Sequence, residues 1–90
     1  MLKWKVLFNK AGKKELSKLS REQQSLIRSY LYTRILKLKH PKESGKALMG
    51  NKRGLWRYRV DKFRIICKLE EDKLVVLVVA VAKRDVVYED

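Results

Sequence analysis

The chain opens with an alternation of apolar and polar side chains. Over residues 2–8 every second residue is apolar, beginning Leu2-Lys-Trp-Lys. A period of two predicts a half-buried β-strand. The longest apolar run, from Leu74 to Ala82, is nine residues and rich in valine, which suits a buried strand and is too short to span a membrane.

Two helices are predicted after the first strand. Asn9 is a candidate cap for the first, whose apolar spacing ends at Leu19. Ser20 opens the second, and Gln23 three residues on completes the sequence of a capping box. This helix ends before Pro41, because the residue preceding a proline avoids helical geometry. Its apolar stripe is formed by Ile27, Tyr30, Leu31, Ile35 and Leu38.

The second half of the chain predicts a basic loop and then strands. Residues 41–54 contain one proline, three glycines and four cations. Strand-like runs follow over 55–60, 63–69 and 74–82, with short turns between them. The order β-α-α-β-β-β predicts an α+β fold, in which two N-terminal helices pack on one face of a small, mainly antiparallel four-stranded sheet. Ninety residues form a single domain over 1–90.

Strand alternation predicts where the arginines of these runs point. Arg57 and Arg59 share one face of their strand, and Arg64 lies opposite the apolar face of the next one. Since the helices cover an apolar face, the three arginines are expected together on the other face, with Arg84 just beyond the last strand. A guanidinium offers paired donors that match phosphate oxygens, which predicts an anion site. The alternative is a solvated face with carboxylate partners such as Asp61.

Charge narrows the classes of partner. Lys and Arg number 23 against 10 Asp and Glu, a net charge of +13. Residues 1–50 carry 13 basic and 3 acidic groups, or +10, and residues 51–90 carry 10 and 7, or +3. A domain this basic attracts polyanions, so nucleic acid is the first candidate and an acidic protein the second. A merely soluble basic protein is the remaining interpretation.

Metal and nucleophile chemistry have little support in the sequence. One cysteine and one histidine do not make a zinc site or a paired-histidine nuclease. Cys67 lies in an apolar strand and is predicted to be a core residue in a reducing compartment. His40, beside Pro41, is predicted to be a capping or surface residue. No cofactor and no metal are expected.

Several segments, taken in order, resemble the RelE family of bacterial toxins. The resemblance covers nearly the whole chain, and members of the wider RelE/ParE superfamily share the fold. The segments that carry it are Gly45-Lys-Ala-Leu-Met-Gly50, Gly54-Leu-Trp-Arg-Tyr-Arg-Val60, Phe63-Arg-Ile-Ile-Cys67, the run from Leu74 to Val81, Lys83-Arg84 and Tyr88.

The resemblance implies a type II toxin that is a ribosome-dependent endoribonuclease cutting mRNA in the A site. The ribose 2′-OH attacks the neighbouring phosphate without a metal and leaves a 2′,3′-cyclic phosphate. It also implies a cognate acidic antitoxin, contacts with ribosomal RNA and mRNA, and contact with operator DNA only through the antitoxin complex. A cytoplasmic location without membrane contact is expected.

The resemblance also implies roles for individual residues. Arg57 and Arg59 match basic positions that are lysines in well-known members, and Arg64 matches an arginine that contacts the phosphate. Arg84 matches an arginine proposed to help the leaving oxygen, and Tyr88 a tyrosine that stacks on or orients the substrate.

These matches leave the general base open. An arginine does not give up its proton, so Lys52, Lys62 and Tyr88 are the alternatives. The residues predicted to bind RNA or the ribosome are Lys46, Lys52, Arg53, Lys62 and Lys83.

Two other functions stay open on the same fold. One is a ParE-like toxin that inhibits DNA gyrase by binding. The other is a non-catalytic toxin relic that binds an antitoxin or nucleic acid.

Overall fold

The computed structural model describes residues 3–83 of the chain. Its helical elements are helix α1 (Lys10–Ser17), helix α2 (Arg21–Ser29), a π-helical segment (Tyr30–Ile35) and two 3₁₀ turns (Pro41–Glu43 and Gly50–Lys52). Its strands are β1 (Lys5–Phe8), β2 (Lys46–Ala47), β3 (Trp56–Val60), β4 (Phe63–Glu70) and β5 (Val75–Lys83). No helix among the described residues is long and apolar enough to cross a membrane.

The strands form one five-stranded sheet in the order β1-β5-β4-β3-β2. β1 runs parallel to β5, and every other neighbouring pair is antiparallel. The predicted α+β class and mainly antiparallel sheet are therefore confirmed, but the predicted count of four strands is wrong. The additional strand is β2, which lies inside the predicted loop. Its two residues pair with Arg57 and Trp56 of β3. Two residues are too few to display a period, so the sequence pattern did not reveal it.

Both helices begin where their caps predicted. The Asn9 side chain accepts a hydrogen bond from the Gly12 amide at 2.7 Å. At α2 the Gln23 amide donates to the Ser20 hydroxyl at 3.1 Å, and the Ser20 amide donates to the Gln23 side chain at 3.2 Å. These reciprocal bonds satisfy amides that have no partner within the helix.

The second helix changes geometry after Ser29, which the sequence did not predict. The next six residues are π-helical, and the Leu36 amide donates to the Leu31 carbonyl five residues back, at 3.1 Å. The Thr33 hydroxyl donates to the Ser29 carbonyl at 2.5 Å. Such a side-chain bond competes with the α-helical backbone bond to that carbonyl. The buried residues Leu31 and Ile35 still face the core.

The core lies between the helices and one face of the sheet. Gly12 lets α1 approach β5 closely, since a Cβ there would lie 2.4 Å from the Val78 carbonyl oxygen. Cys67 is fully buried, as predicted. Tyr58 is also fully buried, and Trp56 is partly buried at the margin of the core. The fully buried members from helices and strands are Leu16, Ile27, Leu31, Ile35, Tyr58, Phe63, Ile65, Cys67, Val76 and Val78.

Candidate nucleic-acid interface

The sheet face that points away from the helices carries Lys46, Arg57, Arg59 and Arg64 among its cations. Arg59 is the cross-strand partner of Arg64, and Lys46 is the partner of Arg57. Cross-strand partners point to the same face, and neighbours along a strand to opposite faces. Tyr58, between the two β3 arginines, is buried on the helix side. The prediction that Arg57, Arg59 and Arg64 share the face away from the helices is confirmed, and we call this surface the cationic face.

The cationic face contains two cross-strand pairs of like charge. Like charges directly opposite one another repel. The segment between Glu43 and Asp61 contains five cations and no acidic residue. A concentration of positive charge on a sheet is suited to a polyanion.

The members of the cationic face differ in exposure. Arg59 is exposed and Arg64 is half-buried, but Arg57 is only 5% exposed. Arg57 lies on β3 between β2 and β4, and Leu48, which directly follows β2, is also buried. Arg57 therefore shares this face with the other two arginines but is buried within it.

A cleft of about 240 Å³ lies at the edge of this face. β2 pairs with Trp56 and Arg57, and within residues 3–83 no other strand pairs with β3 on this side beyond Arg57. The cleft gathers three cations, two hydroxyl groups and a glycine: Lys46, Arg57, Arg59, Tyr30, Ser44 and Gly45. Such a set offers charged donors for a phosphate and neutral groups that both donate and accept hydrogen bonds.

The segment before β2 is held in place by its backbone. Gly45 has φ +82°, and a Cβ there would lie 2.4 Å from the Arg57 carbonyl oxygen. The Trp56 indole donates to the Ser44 carbonyl at 2.7 Å. The Tyr58 hydroxyl donates to the Pro41 carbonyl at 2.8 Å, and burial raises the pKa of Tyr58 well above its ordinary value. The cleft wall at residues 44–46 is thus fixed against β3.

Other predicted binding residues lie around the cationic face. Lys62 is exposed in the turn between β3 and β4. Lys52 is half-buried at the end of the second 3₁₀ turn, and Arg53 follows it at the surface. None of these three lines the cleft.

The remaining predicted site residues are Lys83, at the end of β5, and two residues that follow it. Lys83 is the cross-strand partner of Phe63, which is buried on the helix side, so the register places Lys83 away from the cationic face. Arg84 and Tyr88 lie outside the described residues, and their predicted roles stay predictions.

Two cleft residues were not predicted as part of the site. Tyr30 was placed on the apolar stripe, and Ser44 carries no sequence signal at all. Tyr30 reaches the cleft from the first position of the π-helical segment, and Ser44 from a segment held by contacts distant in sequence. Neither arrangement follows from a local pattern.

Cys67 and His40 contribute to the fold and lie outside the cleft. Cys67 is fully buried and burial raises the pKa of its thiol far above the ordinary value, so it is a core residue, as predicted. His40 caps the first 3₁₀ turn: its Nδ1 accepts from the Lys42 amide at 3.1 Å, and its Nε2 lies 3.0 Å from a Glu71 carboxylate oxygen. Within residues 3–83 there is no group of histidine, cysteine and acidic side chains able to hold a metal ion.

Comparison with known proteins gives one family and several related folds. The family described as the ParE toxin of type II toxin–antitoxin systems, parDE, matches residues 4–88. A chain of the RelBE2 toxin–antitoxin complex from Mycobacterium tuberculosis is 18% identical, with a TM-score of 0.82 over 92% of this chain and 100% of that one. No curated protein matches the sequence.

Two further solved structures extend the likeness. A chain of the intact E. coli RelBE complex is 18% identical with a TM-score of 0.69, covering 91% of this chain and 96% of that one. A chain of the archaeal RelE–RelB complex from Pyrococcus horikoshii is 17% identical with a TM-score of 0.70, covering 96% and 100%. At these identities the likeness shows the fold.

The fold and the family match together define the class, a toxin of the RelE/ParE superfamily. The chain belongs to the ParE toxin family and is the toxin component of a type II toxin–antitoxin system.

Proposed function

We propose that this toxin is an endoribonuclease that cleaves mRNA on the ribosome. The observation that carries the proposal is the arrangement of two like-charged cross-strand pairs, Lys46–Arg57 and Arg59–Arg64, beside a cleft. A phosphodiester gains negative charge as it is attacked, and cations already in position stabilise that charge without reorganising.

The proposed reaction uses the RNA's own ribose as nucleophile. A bond forms between the 2′-oxygen and phosphorus and the bond from phosphorus to the 5′-oxygen breaks, leaving a 2′,3′-cyclic phosphate. A base takes the 2′-OH proton and an acid protonates the leaving 5′-oxygen. Arg57 and Arg59 are suited to bind the phosphate oxygens, and Arg64 supports the same charge from the neighbouring strand.

The proton-transfer groups must be other residues, because an arginine stays protonated. Among the alternatives Lys52 and Lys62 lie on turns outside the cleft, whereas Lys46 lines it. We therefore add Lys46 to the candidate bases. Arg84 and Tyr88 are proposed to complete the site at the leaving oxygen and the substrate base.

The proposed partners follow from the charge and from the relatives. The three solved relatives described above come from toxin–antitoxin complexes, and an acidic antitoxin segment would match the cationic face. Exposed cations on the neighbouring turns, such as Arg53 and Lys62, are proposed to contact ribosomal RNA. Operator DNA would be reached through the antitoxin complex, and the site of action is the cytoplasm.

Mapping the 5′ ends of a message bound to programmed ribosomes tests the activity. Wild-type toxin is expected to cut within the A-site codon, and Arg64→Ala is expected to cut far more slowly. Lys13→Ala removes the same charge from an exposed position on α1, on the opposite side of the sheet, and is the control. An intact message with wild-type toxin would rule out the ribonuclease.

A ParE-like gyrase inhibitor is the second candidate, favoured by the name of the matching family. A supercoiling assay separates the two. Inhibition at stoichiometric toxin with an intact message would replace our proposal. Expression without antitoxin that leaves growth unchanged would indicate a non-catalytic binding module.

A further inference from the structure

Two hydroxyl groups face each other in the cleft, one from the π-helical segment and one from the segment that precedes β2. The Tyr30 phenol oxygen lies 3.5 Å from the Ser44 Oγ, and both residues are half-buried. They line the same cleft as Lys46, Arg57 and Arg59. The assigned chemistry of the cations leaves these two groups without a role.

Both hydroxyls are held in position by other contacts. The Ser44 carbonyl accepts from the Trp56 indole, and the next residue, Gly45, lies against the β3 backbone. The Tyr30 ring has its centroid 6.3 Å from the Tyr58 ring and 5.8 Å from the Arg34 guanidinium carbon. The separation of 3.5 Å exceeds the 2.5 to 3.0 Å of a good O–H···O bond, so each hydroxyl retains capacity for a third group.

The chemistry of the pair fits a sugar hydroxyl better than a phosphate. A phosphate oxygen only accepts hydrogen bonds, and the three cations already offer charged donors for it. A ribose 2′-OH both donates and accepts, as do the hydroxyls of tyrosine and serine. This group is what distinguishes RNA from DNA at a given site.

We propose that Tyr30 and Ser44 form a ribose subsite that binds the 2′-OH of a nucleotide whose phosphate lies against the cations of the cleft. The subsite makes the cleft selective for RNA over DNA. This inference rests on the proposed function and adds a substrate-selecting element to it.

Affinities for RNA and DNA of one sequence test the subsite. Fluorescence anisotropy with labelled single-stranded oligonucleotides at low salt measures both, because a chain of net charge +13 binds either polyanion electrostatically. Wild-type toxin is expected to bind RNA more tightly. Tyr30→Phe keeps the ring and its packing but removes the hydroxyl, and is expected to weaken RNA binding about fivefold while leaving DNA binding unchanged.

Two further variants complete the design. Ser44→Ala is expected to reproduce the loss from the other side of the cleft. Tyr32→Phe, at an exposed position in the same π-helical segment, is the matched control and keeps the wild-type ratio. Equal affinity of the wild type for RNA and DNA, or equal weakening of both by Tyr30→Phe, would overturn the subsite. Failure of the ribonuclease proposal gives a different result, because messages on ribosomes would then stay intact whatever the ratio of RNA to DNA affinity.

Discussion

Tyr58 connects the core to the segment that carries the cleft. Its ring is fully buried and its hydroxyl donates to the carbonyl of the buried Pro41. Tyr58→Phe leaves that carbonyl with only the long hydrogen bond from the Ser44 amide, at 3.5 Å, and we expect a loss of about 1–2 kcal/mol in the free energy of unfolding, measured by urea denaturation. Tyr32→Phe, at an exposed phenol, is expected to leave it unchanged. Equal stability of Tyr58→Phe and wild type would contradict the account.

Cys67 gives the protein a dependence of stability on alkaline pH. Burial raises the pKa of its thiol above the ordinary 9.0. The stabilisation from keeping it neutral is full below that pH and is lost as the pH rises above it, because the thiol ionises first in the unfolded chain. Between about pH 8 and about pH 10, the free energy of unfolding should fall by about 1 kcal/mol more for wild type than for Cys67→Ala. Identical falls would show that the thiol does not contribute.

The faces of individual residues were predictable from sequence, but their burial was not. A strand alternates with a period of two whatever surrounds it, so the shared face of Arg57, Arg59 and Arg64 followed from their spacing. The burial of Arg57 depends on β2 and on Leu48, which come from a segment with no strand pattern of its own.

At the scale of elements, Gly45 decides whether β2 can lie against β3. Gly45 and Gly50 both have positive φ, but only Gly45 has neighbours within 4 Å of a Cβ. Gly50→Ala is expected to cost about 1 kcal/mol for its backbone conformation. Gly45→Ala adds a collision with the Arg57 carbonyl and should cost about 2 kcal/mol more in urea denaturation. Similar losses for the two variants would mean that the close approach is unimportant.

The elements that were predicted are those fixed by local partners. Ser20 and Gln23 are three residues apart, so the start of α2 could be read directly from sequence. The π-helical segment and β2 depend on packing and pairing with distant residues, and both were missed. Of the two residues of the proposed ribose subsite, Tyr30 begins the π-helical segment and Ser44 lies two residues before β2, which explains why the sequence indicated the cations of the site but not its hydroxyls.

At the scale of the whole molecule, the two faces of the sheet differ in what they carry. One face holds the helices and the apolar core, and the other carries Lys46, Arg57, Arg59 and Arg64. The net charge of +13 attracts a polyanion from a distance, and we propose that the cationic face with its cleft gives the encounter a defined geometry.

Single-turnover cleavage of a ribosome-bound message tests this account most directly. Arg59 is exposed, so Arg59→Ala removes a cation from the cleft without disturbing the core, and Lys13→Ala removes one from an exposed position on α1. We predict that Arg59→Ala slows cleavage about 100-fold or more, while Lys13→Ala stays within about twofold of wild type. Equal rates for the two variants would show that positive charge in general, rather than the cationic face, acts on the RNA.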